Sequence, residues 1–197
     1  YAILTTDHID KLLPTVISRC VLVPFHPLKK ETCLNVALQE GIDEEDAFLI
    51  TRVVSKTKDY MSIVVSNAYQ NAKTMLKQYI GVKGNSRLLL VDYDVRYKVQ
   101  AKDTDGNAKD ENIDLVKMFL MLLGQFYKDT FVEVKDAPDW YAYALQKEKE
   151  RSTNIQRVKL LEITQKELNL CNRTNDLNLL LDQAIYEMEE IKYGRSH

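Results

Sequence analysis

Arg19 is the residue in this 197-residue chain whose surroundings best suit it to chemistry. It closes the run Leu12-Leu13-Pro14-Thr15-Val16-Ile17-Ser18-Arg19-Cys20, where a proline and an arginine stand at fixed spacing behind an apolar stretch. A guanidinium is a planar, permanently charged fork suited to a γ-phosphate, and an arginine supplied by a neighbouring subunit couples hydrolysis to assembly. The competing assignment is a surface arginine at a helix end with an ordinary ion pair, which contributes little. Thr5 and Thr6 are the other candidates. Their hydroxyls finish the apolar run 1–4, and they either meet a ligand at the carboxyl end of a strand or bond local backbone, as threonine readily does.

The elements that would position these residues can be read from local patterning. Residues 1–5 are expected to form a strand of the buried, parallel-sheet type. Asp10 can cap the next turn of chain, and Pro14 suits a first helical turn, so 15–19 should make one or two turns with Ser18 and Arg19 at the exit. Val21-Leu22-Val23 reads as a second short strand, closed by Pro24 and Pro27. His26 has no second His, Cys or carboxylate at ligand spacing and is expected to pack rather than bind.

Leu-Leu-Pro-Thr-x-x-Ser-Arg-Cys behind a strand ending in Thr-Thr resembles the sensor 1 strand and Ser-Arg-Cys motif of AAA+ clamp-loader subunits. The wording Leu4-Thr5-Thr6-Asp7-His8-Ile9-Asp10-Lys11, with Val23-Pro24-Phe25-His26-Pro27-Leu28 after it, is most similar to the delta-prime subunits of the bacterial DNA polymerase III clamp loader. The resemblance covers residues 1–28. It implies that Arg19 acts in trans on ATP held by a neighbouring subunit, and that Thr5 or Thr6 stands at the sensor 1 position. It also implies partners: other loader subunits of gamma/tau and delta type, with the sliding clamp and primer-template DNA reached through the complex.

Composition sets the bounds. With 45% hydrophobic and 28% charged residues, six glycines and four prolines, the chain reads as a helix-favouring globular protein. A formal net charge of −2 gives no bulk attraction to nucleic acid or anionic membrane. Three widely spaced cysteines, Cys20, Cys33 and Cys171, support neither a disulfide framework nor a zinc site, so no metal and a reducing cytoplasm are expected. No run approaches a membrane-spanning length and no basic signal-peptide start is present. The sequence contains no G-x-x-x-x-G-K-[ST], so no cofactor is expected to bind in the P-loop manner. We expect a C-terminal fragment of a longer protein, its nucleotide-binding core upstream.

Downstream, periodicity predicts helices. Residues 29–40 carry Leu34, Ala37 and Leu38 on one face and stop at Gly41. Asp43 should cap a second helix with acids in its first turn and Phe48, Leu49, Val53 and Val54 inward. Asp59 should cap a third running to Gly81, with Met61, Val64, Val65, Ala68, Ala72, Met75, Leu76 and Tyr79 at helical spacing. Three helices over 29–82 fit the lid domain the resemblance implies, although Thr57-Lys58-Asp59-Tyr60-Met61 offers no sensor 2 arginine. Residues 91–99 fit a strand by alternation at Val91, Tyr93, Val95, Tyr97 and Val99. They fit a helix by Leu88, Val91, Val95 and Val99, and helix is preferred because the family is helical there. Residues 101–112 are polar and turn-rich and are expected to form an exposed loop.

A helix starting at Asp110 or Asn112 and reaching about 131 is expected, then a shorter element opened by Pro138-Asp139, a helix over about 154–171, and a last helix capped by Asn175-Asp176. Basic residues at 151, 157, 159 and 166 alternate with acids and read as a solvated face. Leu177, Leu180, Leu181, Ala184, Ile185 and Met188 have core spacing, and the segment resembles the final helix of a clamp-loader collar. The expected architecture is mainly α: the end of an AAA+ core at 1–28, a lid at 29–82, a linker or insertion at 83–112 and a helical collar at 113–197. Three functions fit it: a non-catalytic loader subunit supplying Arg19, the remainder of an active gamma/tau-type ATPase, or a helical protein interaction module with no nucleotide role.

Overall fold

The structure, a computed structural model, describes residues 2–6, 9–24, 28–81, 108–171, 173 and 177–194. It is mainly helical, with no strand among the described residues. In order the helices are α1 (Pro14–Ile17), α2 (Lys30–Gln39), α3 (Glu44–Val53), α4 (Tyr60–Val64), α5 (Asn67–Gly81), α6 (Ala108–Asp129), α7 (Asp139–Arg151), α8 (Asn154–Leu170) and α9 (Leu177–Tyr193), with 3-10 turns at Ile9–Lys11 and Thr57–Asp59.

The expected strands do not form: 2–6 and 21–24 carry no ladder hydrogen bonds. A strand exists through its neighbour, and among the described residues no segment pairs with these β-prone ones. Two expected caps also differ. Asp10 lies inside a 3-10 turn and α1 is preceded by Leu13, with Pro14 at its first position. Asp59 sits at the end of the second 3-10 turn in a helical conformation and makes no side-chain cap bond. By contrast Asp43 Oδ1 accepts from the amides of Glu45 and Asp46 at 3.0 and 3.1 Å, and Gly41 ends α2 with φ of 83°, a conformation that favours glycine.

The helix expected from Asp59 to Gly81 is broken in two at Val65-Ser66. The Ser66 hydroxyl accepts from the Tyr69 amide at 3.2 Å, and the Gln70 side-chain amide donates to the Val64 carbonyl at 2.8 Å. Serine competes with the helical ladder in this way, so an apolar period that runs through the break hides it. The expected loop over 101–112 is partly wrong as well, since α6 already begins at Ala108 and ends at Asp129. The competing patterns over 82–107, the linker assigned there and the Asn175-Asp176 cap lie outside the described residues.

Packing centres on α6. Leu115, Val116, Phe119, Leu120, Leu122, Leu123, Phe126 and Tyr127 are all buried, and α5, α8, α3 and α9 lie against this helix. The same core takes Phe48 and Leu49 from α3, Ala72, Met75 and Leu76 from α5, and Leu181, Ala184 and Met188 from α9. Residues from both segments expected as lid and collar therefore share one contiguous core. A smaller cluster joins Cys33, Ala37, Ile42, Ile50, Tyr60, Val64 and Tyr69 among α2 to α5, and Val53 and Met118 touch both. Gly124 sits mid-helix in α6 because α8 crosses it closely: a Cβ there would stand 3.0 Å from the Thr164 hydroxyl.

One ion pair binds the two ends of this arrangement. Arg52 of α3 donates through Nε and an Nη to the two oxygens of Asp129, at 2.9 and 2.5 Å, and lies over the Phe48 ring. Asp129, 1% exposed, also accepts from the Tyr141 hydroxyl at 3.0 Å and the Gln125 amide at 2.6 Å. Removing one member of a buried pair strands a desolvated charge. Arg52→Ala is expected to lower the unfolding free energy by about 3 kcal/mol or more. Replacing both residues by leucine should cost less than the two single changes summed. Urea unfolding of wild type, Arg52→Ala, the two single leucine variants and the double variant measures both quantities.

Candidate functional site

The segment carrying the candidate residues is built from short local interactions. The Val16 amide bonds Leu13 O at 2.9 Å and the Ser18 amide bonds Pro14 O at 2.9 Å, closing the single turn of α1. Beyond it the Arg19 amide reaches Val16 O at 3.1 Å and the Cys20 amide reaches Ile17 O at 3.2 Å, while the Ser18 hydroxyl donates to Thr15 O. Ser18-Arg19-Cys20 is thus held as the exit of a helical turn by its own backbone, with Pro14 supplying the fixed φ at the start.

Arg19, Cys20, Thr5 and Thr6 are all exposed. So are the apolar residues around them: Ile3 is 92% and Val21 91% accessible, and Leu4, Leu13, Leu22, Val23 and Leu28 are more than half so. Neither core cluster includes a residue before Cys33. The structure therefore places the arginine at the tip of a turn, facing outward, with a β-prone apolar segment on each side of it. Thr5 and Thr6 lie on the surface before that turn.

A second constellation lies at the start of α3, in its acidic first turn. Asp46, 3% exposed, accepts from the Tyr69 hydroxyl at 2.9 Å and from Lys73 at 2.6 Å. Glu45 accepts from the Trp140 indole at 2.9 Å and from Lys77 at 2.7 Å, and Lys77 stands 4.8 Å over the Trp140 ring. The signal that could have found it is the pair Lys73 and Lys77, four residues apart on one face of α5. Burial pushes the Asp46 carboxyl up, but bonds from Lys73 and Tyr69 outweigh it and hold the group below its ordinary value. Glu45 is lowered in the same way against its burial, by Lys77 and Trp140. Acids and bases here consume one another, which makes the cluster a staple between α3, α5 and α7.

A groove of about 170 Å³ lies between α3, α6 and α8, with Arg52, Gln125, Lys128 and Gln165 among the residues that line it. It is smaller than the roughly 300 Å³ at which ligand sites begin, and Arg52 is already engaged by Asp129. Among the described residues no group of three His, Cys, Asp or Glu is arranged to hold a metal, and no helix is long and apolar enough to cross a membrane. No family model matches the chain, and no curated protein or solved structure is found similar to it.

Stability measurements separate the staple from the exposed arginine. A carboxyl depressed in the folded state contributes stability that is present above its unfolded value, 3.8 for Asp46, and is lost as pH falls through the folded value. Asp46→Asn should therefore destabilise the protein at neutral pH, and its deficit against wild type should close below about pH 3.8, read by urea unfolding across that range. Arg19→Ala, at an exposed position, should leave the unfolding free energy within about 0.5 kcal/mol of wild type, read by the same denaturation.

Proposed function

We propose that this chain works as a non-catalytic subunit of a delta-prime-like clamp loader, helping to assemble the loader ring and supplying Arg19 to the ATP site of a neighbouring subunit. The observation that carries the proposal is the fold of the Leu12–Cys20 motif: a single turn opened by Pro14 that delivers an exposed guanidinium at its exit. A trans-acting arginine has to satisfy two demands. It must reach beyond its own subunit, and its backbone must be fixed well enough for the fork to meet the γ-phosphate oxygens as charge builds on them.

The mechanism asks little else of this chain. ATP bound next door would place its γ-phosphate against Arg19, which then stabilises the charge spread over the equatorial oxygens during transfer to water. Hydrolysis thereby becomes contingent on the subunits being in register, which ties ATP binding and turnover to opening and release of the sliding clamp on DNA. The helical body would hold the ring together while Arg19 acts at its edge. Thr5 and Thr6 would belong to the adjoining sensor strand, and the apolar residues flanking them would complete a sheet supplied by the nucleotide-binding core.

A second reading, a helical interaction module with no nucleotide role, is favoured by the same exposed apolar side chains at Ile3, Leu4, Val21 and Val23, which fit any protein partner. Arg19 separates the two. In a clamp loader reconstituted with gamma/tau-type and delta-type subunits, Arg19→Ala should lower single-turnover ATP hydrolysis at the adjoining site by about 10³-fold, with assembly intact. Unchanged hydrolysis in an assembled ring would leave the interaction module. Hydrolysis by the isolated subunit that needs its own sensor residues would favour an active ATPase of gamma/tau type.

A further inference from the structure

The groove between α3, α6 and α8 is too small for a cofactor but is sized for one side chain. Its volume of about 170 Å³ compares with the roughly 150 Å³ of an aliphatic cavity that holds a benzene ring. Two contacts fix the register of its long walls. Arg157 of α8 stands over the Phe131 ring, just past the end of α6, and a Cβ on Gly124 would meet Thr164. Phe131 and Gly124 are seven residues apart, as are Thr164 and Arg157, so α6 and α8 run antiparallel here. Lys128 therefore lies opposite Leu161, while Leu120 and Met121 lie opposite Leu168.

The groove is consequently apolar at one end and cationic at the other. Leu120, Met121 and Leu168 line the first; Lys128 and Arg52 line the second. Arg52 spends Nε and one Nη proton on Asp129, and a guanidinium carries five N–H donors, so three remain. The Lys128 ammonium has no carboxylate partner among the described residues. Asp129, its neighbour in sequence, is turned inward to Arg52, and consecutive helical residues do not face each other. Among the described residues no carboxylate lines the groove. One end of an apolar slot thus holds a surplus of cationic donors.

We propose that this groove seats one apolar side chain, phenylalanine or leucine in size, from an acidic segment of a partner protein, with an adjoining carboxylate on Lys128 and Arg52. Met121 to Lys128 spans about 10 Å of helix at 1.5 Å per residue, within reach of a side chain and a carboxylate one residue further along an extended segment. A single anchor of this kind carries much of an interface's binding energy, and charge complementarity fixes its direction. Asp129 already holds the Arg52 guanidinium in place, so the site needs little ordering on binding. Met121 is unbranched and adapts to the shape of what enters. Nucleic acid would meet the cations and leave the apolar end uncovered, and a purely apolar segment would leave the donors unanswered. The proposal stands on the groove alone and is independent of the role given to Arg19.

The test uses the full chain and three labelled hexapeptides with blocked ends: one phenylalanine among glutamates, the same peptide with alanine for phenylalanine, and the same with glutamines for glutamates. Fluorescence anisotropy measures binding, and sedimentation reports self-association. The phenylalanine and glutamate peptide should bind, and either peptide change should weaken binding at least tenfold. Lys128→Glu, and Gln165→Trp, whose ring would cover the opening, should each weaken it at least tenfold. Lys30→Glu, on α2, should not. All three positions are exposed, and each variant should retain the wild-type circular dichroism. No binding at millimolar concentration, equal binding of the alanine or glutamine peptide, indifference to both groove substitutions, or an equal loss in Lys30→Glu would overturn the proposal. Displacement of the peptide by phenylacetate at matching affinity would overturn it in favour of a small acid, and a dimer abolished by Lys128→Glu in favour of a second copy. All of these are read without ATP or loader subunits, so the outcome for Arg19→Ala bears on none of them.

Discussion

The constraint on which the rest of the structure depends is the burial of α6. A helix with Leu115, Val116, Phe119, Leu120, Leu122, Leu123, Phe126 and Tyr127 all inside has one broad apolar face, nearly half of its circumference, that cannot be left on a surface. It has to be wrapped, and α5, α8, α3 and α9 wrap it. That requirement explains why α3 and α5, distant in sequence from α7, α8 and α9, share their core. It also explains the glycine at 124, where the wrapping helix α8 comes too close for an ordinary side chain on a relaxed neighbour.

Wrapping an apolar helix leaves its ends to be dealt with. Asp129 is the last residue of α6, where the helix macrodipole disfavours an anion, and it is buried besides. Arg52, Tyr141 and Gln125 answer both penalties at once, and they come from α3, α7 and α6 itself. The polar chemistry of the interior thus sits where helices terminate. The Lys73, Tyr69 and Asp46 group does the same at the start of α3, and Thr153 with Gln156 forms a reciprocal cap at the start of α8.

How much of this is legible in the sequence varies with how local the cause is. Asp43, Gly41 and Pro14 act within a few residues of themselves, and their roles can be read directly. The inward faces of α5 and α9 are legible too, because Ala72, Met75, Leu76 and Tyr79, and Leu181, Ala184, Ile185 and Met188, keep a clean helical period. On α8 the buried face carries Arg157, Thr164 and Glu167 beside Leu160 and Ile163, which blurs the apolar stripe. The break at Ser66 is hidden because an apolar period crosses it. Composition alone suggests strands at 1–5 and 21–23, yet strand formation is decided by a neighbour that the sequence of the strand does not name. Arg19 is legible as a motif, while its exposure at the exit of α1 needs the structure.

The N-terminal segment then differs in kind from the helical body it precedes. In the body, acids and bases are spent on one another: Arg52 on Asp129, Lys73 on Asp46, Lys77 on Glu45. At the periphery this internal pairing gives way to display, with an arginine at the tip of a turn. A protein so arranged derives its stability chiefly from the helices wrapped around α6. Its displayed residues are therefore free to be shaped by what they meet, because substituting them takes nothing from the core.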